Sequence, residues 1–129
     1  MSYSDITDIS ELIGESELIR LTGSDPPDES KILAAIGFAD SLINAYTYGR
    51  VTIPTVEVPP LINKISADLA IVLLSENYYR FNELPNTLLR LKIQSFKLLE
   101  DIAMGKISIG DRQNIFKITN MITEKNHDK

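Results

Sequence analysis

PPLINKISADLAIVLLSENYYRF, residues 59–81, opens on paired prolines and then runs to its end without another proline or a glycine. Proline suits the first turn of a helix, where an N–H has no intrahelical partner to lose. Leu61, Ile62, Ile65, Leu69, Val72, Leu73 and Tyr79 then recur at helical spacing, while Ala67, Ala70, Ile71 and Leu74 widen the apolar surface beyond a single stripe. This pattern predicts a central helix covered on more than one side. Asp68 is the exception within it, either a cap partner for a nearby loop or a solvated edge.

Immediately upstream, residues 50–60 alternate Val51, Ile53, Val56 and Val58 with polar residues, but Pro54 and the Pro59-Pro60 pair prevent a regular central strand. An extended crossing loop is predicted. Before it, Ser24 or Asp25 is placed to cap a helix over residues 27–48, with Ile32, Ala35, Ile36, Ala39, Leu42, Ile43 and Tyr46 as its stripe and Gly49 as its stop. Gly37 interrupts that helix at a cost of about 1 kcal/mol relative to alanine. At the chain's start, Ser4 or Asp5 caps a short helix ending at Ile13-Gly14, with Ile6, Ile9, Leu12 and Ile13 as its apolar positions; a short helical piece follows from Glu15 to Leu21. Downstream, a helix begins at Asn82 or Leu84, carries Leu84, Leu88, Leu91, Leu98, Leu99 and Ile102, and ends at Gly105.

The expected architecture is all-α: a compact bundle of about four helical segments over residues 1–110, with an extended inter-helix loop. A polar C-terminal extension over 111–129 shows a modest helical pattern in Ile115, Ile118 and Ile122, making a short fifth segment. The expected core contains Ile9, Leu12, Ile36, Ile43, Ile65, Leu69, Val72, Leu88, Leu91, Leu99 and Ile102. A chain of 129 residues is long enough to bury roughly two thirds of its unfolded surface in one domain. No apolar run approaches the roughly 20 residues that span a bilayer, and no basic and apolar leader opens the chain, so no membrane partner and a cytoplasmic location are expected.

Chemistry is hard to place on this sequence. Cysteine is absent, which removes disulfides, thiolate catalysis and thiolate metal ligands. The single histidine, His127, lies in the polar C-terminal end. No phosphate-cradling, zinc-binding, nucleophile-elbow or calcium-loop spacing occurs. Asp5, Asp8, Glu11 and Glu15 have one-face helical spacing, but one exposed turn supplies too few converging oxygens for magnesium or calcium, and solvated helix-end charge accounts for them. Neither an enzyme, a cofactor nor a metal is expected.

Charge and aromatic placement say more. Residues 1–30 carry eight acids against Arg20 alone, a balance of −7, whereas residues 31–82 are neutral and residues 83–129 carry eight basic and six acidic side chains, a balance of +2. Such a gradient suits head-to-tail pairing between copies, although a solvated charged face is the simpler account of it. Tyr46 and Tyr48 precede Arg50, and Tyr78 and Tyr79 precede Arg80, at the ends of two predicted helices. Tyrosine and arginine are enriched at interfaces, while aromatic packing at the end of a bundle is the competing reading. With Ile53 and Val56 of the crossing loop and Lys106, Ile107 and Ile109 of the tail, they form the candidate interface. A small helical regulatory or nucleic-acid-binding module is the alternative, but Arg90, Lys92 and Lys97 are scattered on an acidic chain.

Several stretches carry a family likeness: Asp5 to Gly14, Glu17-Leu18 with Leu21-Thr22, the Tyr46 to Arg50 helix ending, the loop from Pro54 to Pro60, the helix from Leu61 to Tyr79, and LEDIAMGKISIG at residues 99–110. Across residues 3–110 the chain resembles the Mu-like phage and prophage protein family, and its layout is similar to that of head-tail connector, or head-completion adaptor, proteins of tailed phages. The resemblance implies a ring beneath the portal, with portal and tail-completion proteins as partners, no catalytic residues, assembly in the bacterial cytoplasm and a final place in the virion neck. It also implies an interface or folding role for Arg50. The sparse basic residues of the later helices depart from the arginine-richer pattern of members, which weighs against direct DNA contact.

Overall fold

Five helices and no strand occur among the described residues 2–54 and 56–109 of this computed structural model: α1 (Ile6–Ile13), α2 (Glu15–Thr22), α3 (Glu29–Thr47), α4 (Pro60–Tyr79) and α5 (Asn86–Ala103). The bundle is all-helical as expected. It has one helix more than the four principal segments expected, because the piece after Gly14 forms two full turns. The fifth segment expected after Gly110, and the 111–129 extension, lie outside the described residues.

α4 contacts every other helix. Ile62, Ile65, Leu69, Ala70, Val72 and Leu74 are all buried, as the broad apolar pattern of residues 59–81 demands. α3, α4 and α5 form a three-helix unit in which α4 is antiparallel to both neighbours: Glu76 near its C-terminal end pairs with Lys92 in the first half of α5 at 2.6 Å, and the Arg50 guanidinium after α3 donates to the Ala103 carbonyl at the end of α5 at 3.5 Å. The α1–α2 pair lies along α4, with residues 3–8 beside Asn63 and Ser66, and Arg20 beside Tyr78.

Local chemistry sets the helix ends. Asp5 and Asp8 close α1 with a reciprocal capping box, each carboxylate accepting the other's backbone N–H. Gly14 both ends α1 and begins α2, at φ 84° and ψ 159°, a region that glycine occupies and side-chain-bearing residues avoid. The α3 cap is Asp28 rather than the expected Ser24 or Asp25; its carboxylate accepts from the Ser30 hydroxyl at 2.6 Å and from the Ser30 and Lys31 N–H groups, and this bonding, the hydroxyl foremost, holds its pKa below the ordinary value. Asp25 and Pro26 each precede a proline, which disfavours helical backbone at both and delays the start. At the other end of the bundle, Gly105 has φ 77° and donates to the Ile102 carbonyl while Lys106 N donates to Asp101, closing α5 with a Schellman turn.

Three expected core residues are placed differently. Leu12 is 55% exposed, because α1 turns Ile6, Ile9 and Ile13 inward and Leu12 lies roughly 90° off the centre of that face by helical geometry. Leu88 and Leu91 are only half-buried, since α5 packs on one side and its buried residues are Ser95, Leu99 and Ile102. Asp68, expected as a loop cap or wet edge, is buried beside the Lys64 ammonium at 2.6 Å. Replacing Leu69, 1% exposed, with alanine is predicted to cost about 2–5 kcal/mol in denaturant unfolding, whereas Leu12→Ala should stay within about 0.5 kcal/mol.

Candidate protein-interaction surface

Residues 3–8 are joined to α3 and α4 by buried polar groups. Tyr3 N–H donates to Asp40 Oδ2 at 3.1 Å, Ser66 Oγ donates to Asp40 Oδ1 at 2.7 Å, and the Ser4 and Ser66 hydroxyls meet at 2.6 Å. A hydroxyl carries one proton, so with the Ser66 proton directed at Asp40 it is Ser4 that donates to Ser66. The Tyr3 hydroxyl reaches Asn44 Oδ1 at 2.5 Å, and Asn63 Nδ2 donates to both the Tyr3 carbonyl and Asp8 Oδ2. No buried side-chain polar atom among the described residues lacks a partner. This network fixes the orientation of α1–α2, and with it everything those helices display. Asp40 and Ser66 left no mark in the sequence as functional positions.

The candidate interface residues separate into two groups at opposite ends of the bundle, roughly 30 Å apart by the length of the 20-residue α4. At the first end stand Tyr46, Tyr48, Arg50, Ile53, Val56, Lys106, Ile107 and Ile109. Tyr46 is half-buried with its ring 5.9 Å from that of Phe96, so aromatic packing accounts for it. Ile53, Ile107 and Ile109 also pack against the core. Tyr48 and Val56 are 87% and 96% exposed, which leaves them available for contact. A cleft of about 390 Å³ lies here between Tyr46, Arg50, Glu100 and Met104.

At the second end stand Tyr78, Tyr79 and Arg80. The two tyrosine rings meet edge to face at 5.1 Å, and the Arg20 guanidinium lies 4.9 Å over the Tyr78 ring while pairing with Glu17, whose pKa it lowers. Arg80 adopts φ 54°, reversing the chain after α4, and Phe81 is fully exposed beyond it. Sequence reasoning missed Phe81 and Phe38, which with Leu73 and Tyr78 line an open groove of about 1060 Å³ edged by Arg20, Lys31 and Arg80. Both phenylalanines carry a weak signal: Phe38 falls off the α3 apolar stripe, and Phe81 follows the last helical residues.

No group of side chains suited to a metal ion occurs among the described residues, and no helix among them is long and apolar enough to cross a membrane. The arrangement defines a small helical protein with aromatic, apolar and arginine residues exposed at two ends. The family model described as Bacteriophage Mu, Gp36 matches residues 3–120, and the chain belongs to that family. The match continues past Gly110, where the likeness read from the sequence stops. No curated protein matches the chain.

Burial raises the Asp40 pKa above its ordinary 3.8, against the lowering effect of the Ser66 and Tyr3 hydrogen bonds. The folded chain therefore holds this proton more tightly than the unfolded chain. The resulting stabilisation is complete below the ordinary value and is lost as pH rises through the raised one. In Asp40→Asn the amide oxygen still accepts from Tyr3 and the amide nitrogen donates to Ser66, but nothing titrates. Wild-type stability relative to this variant is predicted to fall as pH climbs from about 3.8 through the folded-state pKa and then level off, measured by denaturant unfolding across pH. A flat difference would mean that Asp40 titrates as if in water.

Proposed function

We propose that this chain is a structural head-tail connector, or head-completion adaptor, of a tailed phage or prophage, assembling as a ring between portal and tail. Its membership of the Mu family supports a phage role. The observation that carries the finer reading is the division of exposed contact residues between two ends, Tyr48 and Val56 at one and Tyr78, Arg80 and Phe81 at the other. An adaptor in a neck meets different machinery on its two rims, so each copy needs two unlike contact ends on a rigid spacer. The three-helix unit α3–α5, built around the buried α4, is such a spacer. In this reading the protein has no catalytic step; it is made in the host cytoplasm and ends in the virion neck, with portal and tail-completion proteins as neighbours.

Lateral contacts between identical copies around a channel are heterologous, one patch meeting a different one, unlike the self-matching patch of a two-fold dimer. Weak contacts of this kind gain from a preassembled portal, which raises the effective concentration of neighbouring copies. Imaging of the native particle with the chain located in the density tests the proposal. A cyclic arrangement between portal and tail is expected, and a position outside any neck or virion would overturn it.

A further inference from the structure

We propose that the groove between α2, α3 and the C-terminal end of α4 is the seat for Leu12 of a second copy of this chain, with Glu11 and Glu15 of that copy meeting Lys31 and Arg80 on its rim. The proposal rests on the self-association contained in the neck reading and adds the surfaces that would perform it.

Two features left over from the fold are complementary. Leu12 is a large apolar side chain standing 55% exposed on the acidic leading pair of helices. Glu11 and Glu15, close to Leu12 in the sequence, are exposed and make no ion pair among the described residues, whereas Asp5 and Asp8 are committed to the α1 cap. The N-terminal pair thus offers an exposed apolar tooth on a segment whose nearby carboxylates are unpaired. The groove is the converse: Phe38 is 58% exposed, Phe81 is fully exposed, and Arg80 on the rim has no carboxylate partner among the described residues. Lys31 on the same rim is exposed, donates to the Thr22 carbonyl at 2.9 Å and forms no ion pair among the described residues, with the Asp28 carboxylate as the acid that feels its charge. The groove's own acid, Glu76, is neutralised by Lys92.

An apolar tooth entering an apolar groove removes both from water, and the opposed charges fix the register while repelling a like-charged approach. Tooth and groove are different patches of one surface, so the contact is heterologous and propagates from copy to copy. One side chain and two charge pairs make a small contact, well below what a stable isolated dimer needs. Association is therefore weak in dilute solution and is read best by trapping it.

The absence of cysteine makes that direct. In concentrated solution under oxidising conditions, the double variant Leu12→Cys/Phe81→Cys is expected to give a covalent ladder of dimers, trimers and larger species. Equal amounts of the two single variants should stop at a dimer, and each single variant alone should give none. Both positions are exposed, so circular dichroism should be unchanged. Adding Glu11→Lys and Glu15→Lys should cut the ladder about tenfold, and adding Arg80→Glu should restore part of it. The contact is refuted if the double variant gives no ladder, if Leu12→Cys alone forms abundant dimer, or if charge reversal leaves the ladder unchanged. A chain found in a neck ring but lacking the ladder would lose only this contact; a laddering chain found outside any neck would lose only the neck role.

Discussion

The Asp40 carboxylate is the point at which the N-terminal segment, α3 and α4 are joined. It accepts from the Tyr3 backbone and from Ser66, and Ser66 in turn accepts from Ser4. A carboxylate is costly to remove from water unless its oxygens are hydrogen-bonded, and here each oxygen has a donor. The same low-polarity surroundings that make the site costly also penalise any shift that leaves a donor unmet. Apolar packing alone would let a short amphipathic pair such as α1–α2 settle in more than one position on the bundle. The directed bonds at Asp40 select one, and the exposed positions of Leu12, Glu11 and Glu15 follow from it.

Around that joint, α4 provides the common surface. A helix buried on several sides has little polar area to spare, and its buried serines show how this is managed. The Ser75 hydroxyl bonds the Ile71 carbonyl one turn back, and the Ser66 hydroxyl bonds Asp40. Lys64 folds back on the buried Asp68 along the same helix. The middle of the bundle thus keeps its polar groups satisfied within or beside α4.

The helices were legible in the sequence because periodicity, glycine stops and proline starts report local geometry. α4 was the clearest, since a pattern too broad for one stripe has one meaning. Leu12 was misplaced because its spacing from Ile9 fits a helix, and only the direction in which α1 docks decides which apolar positions are covered. Asp40 was illegible because its partners lie 37 and 26 residues away and one of them is a backbone N–H. The α3 start lies a few residues later than a cap at Ser24 or Asp25 implies, because Pro26 and Pro27 hold the backbone before them out of the helix and Asp28 is the first capping side chain beyond them. The tyrosine and arginine pairs stand out in the sequence as candidate contact residues, but their separation to opposite ends depends on the antiparallel course of α3 and α4. The sequence treats Tyr46 and Tyr48 alike, yet one is packed on Phe96 and the other stands in solvent.

The bond between Ser4 and Ser66 also has a bearing on the order in which the molecule assembles. It spans 62 residues, whereas α3, α4 and α5 are sequential neighbours joined by the stretches 48–59 and 80–85. Closing the longer loop carries the larger entropic cost, and the cost is offset only once both α3 and α4 are in place to receive Tyr3 and Ser4. The three-helix unit is therefore the template and the N-terminal pair is the strap drawn across it afterwards. Because the strap is held through Asp40 and Ser66, a change at either residue acts at a distance, through Tyr3 and Ser4, on the placement of the acidic leading helices.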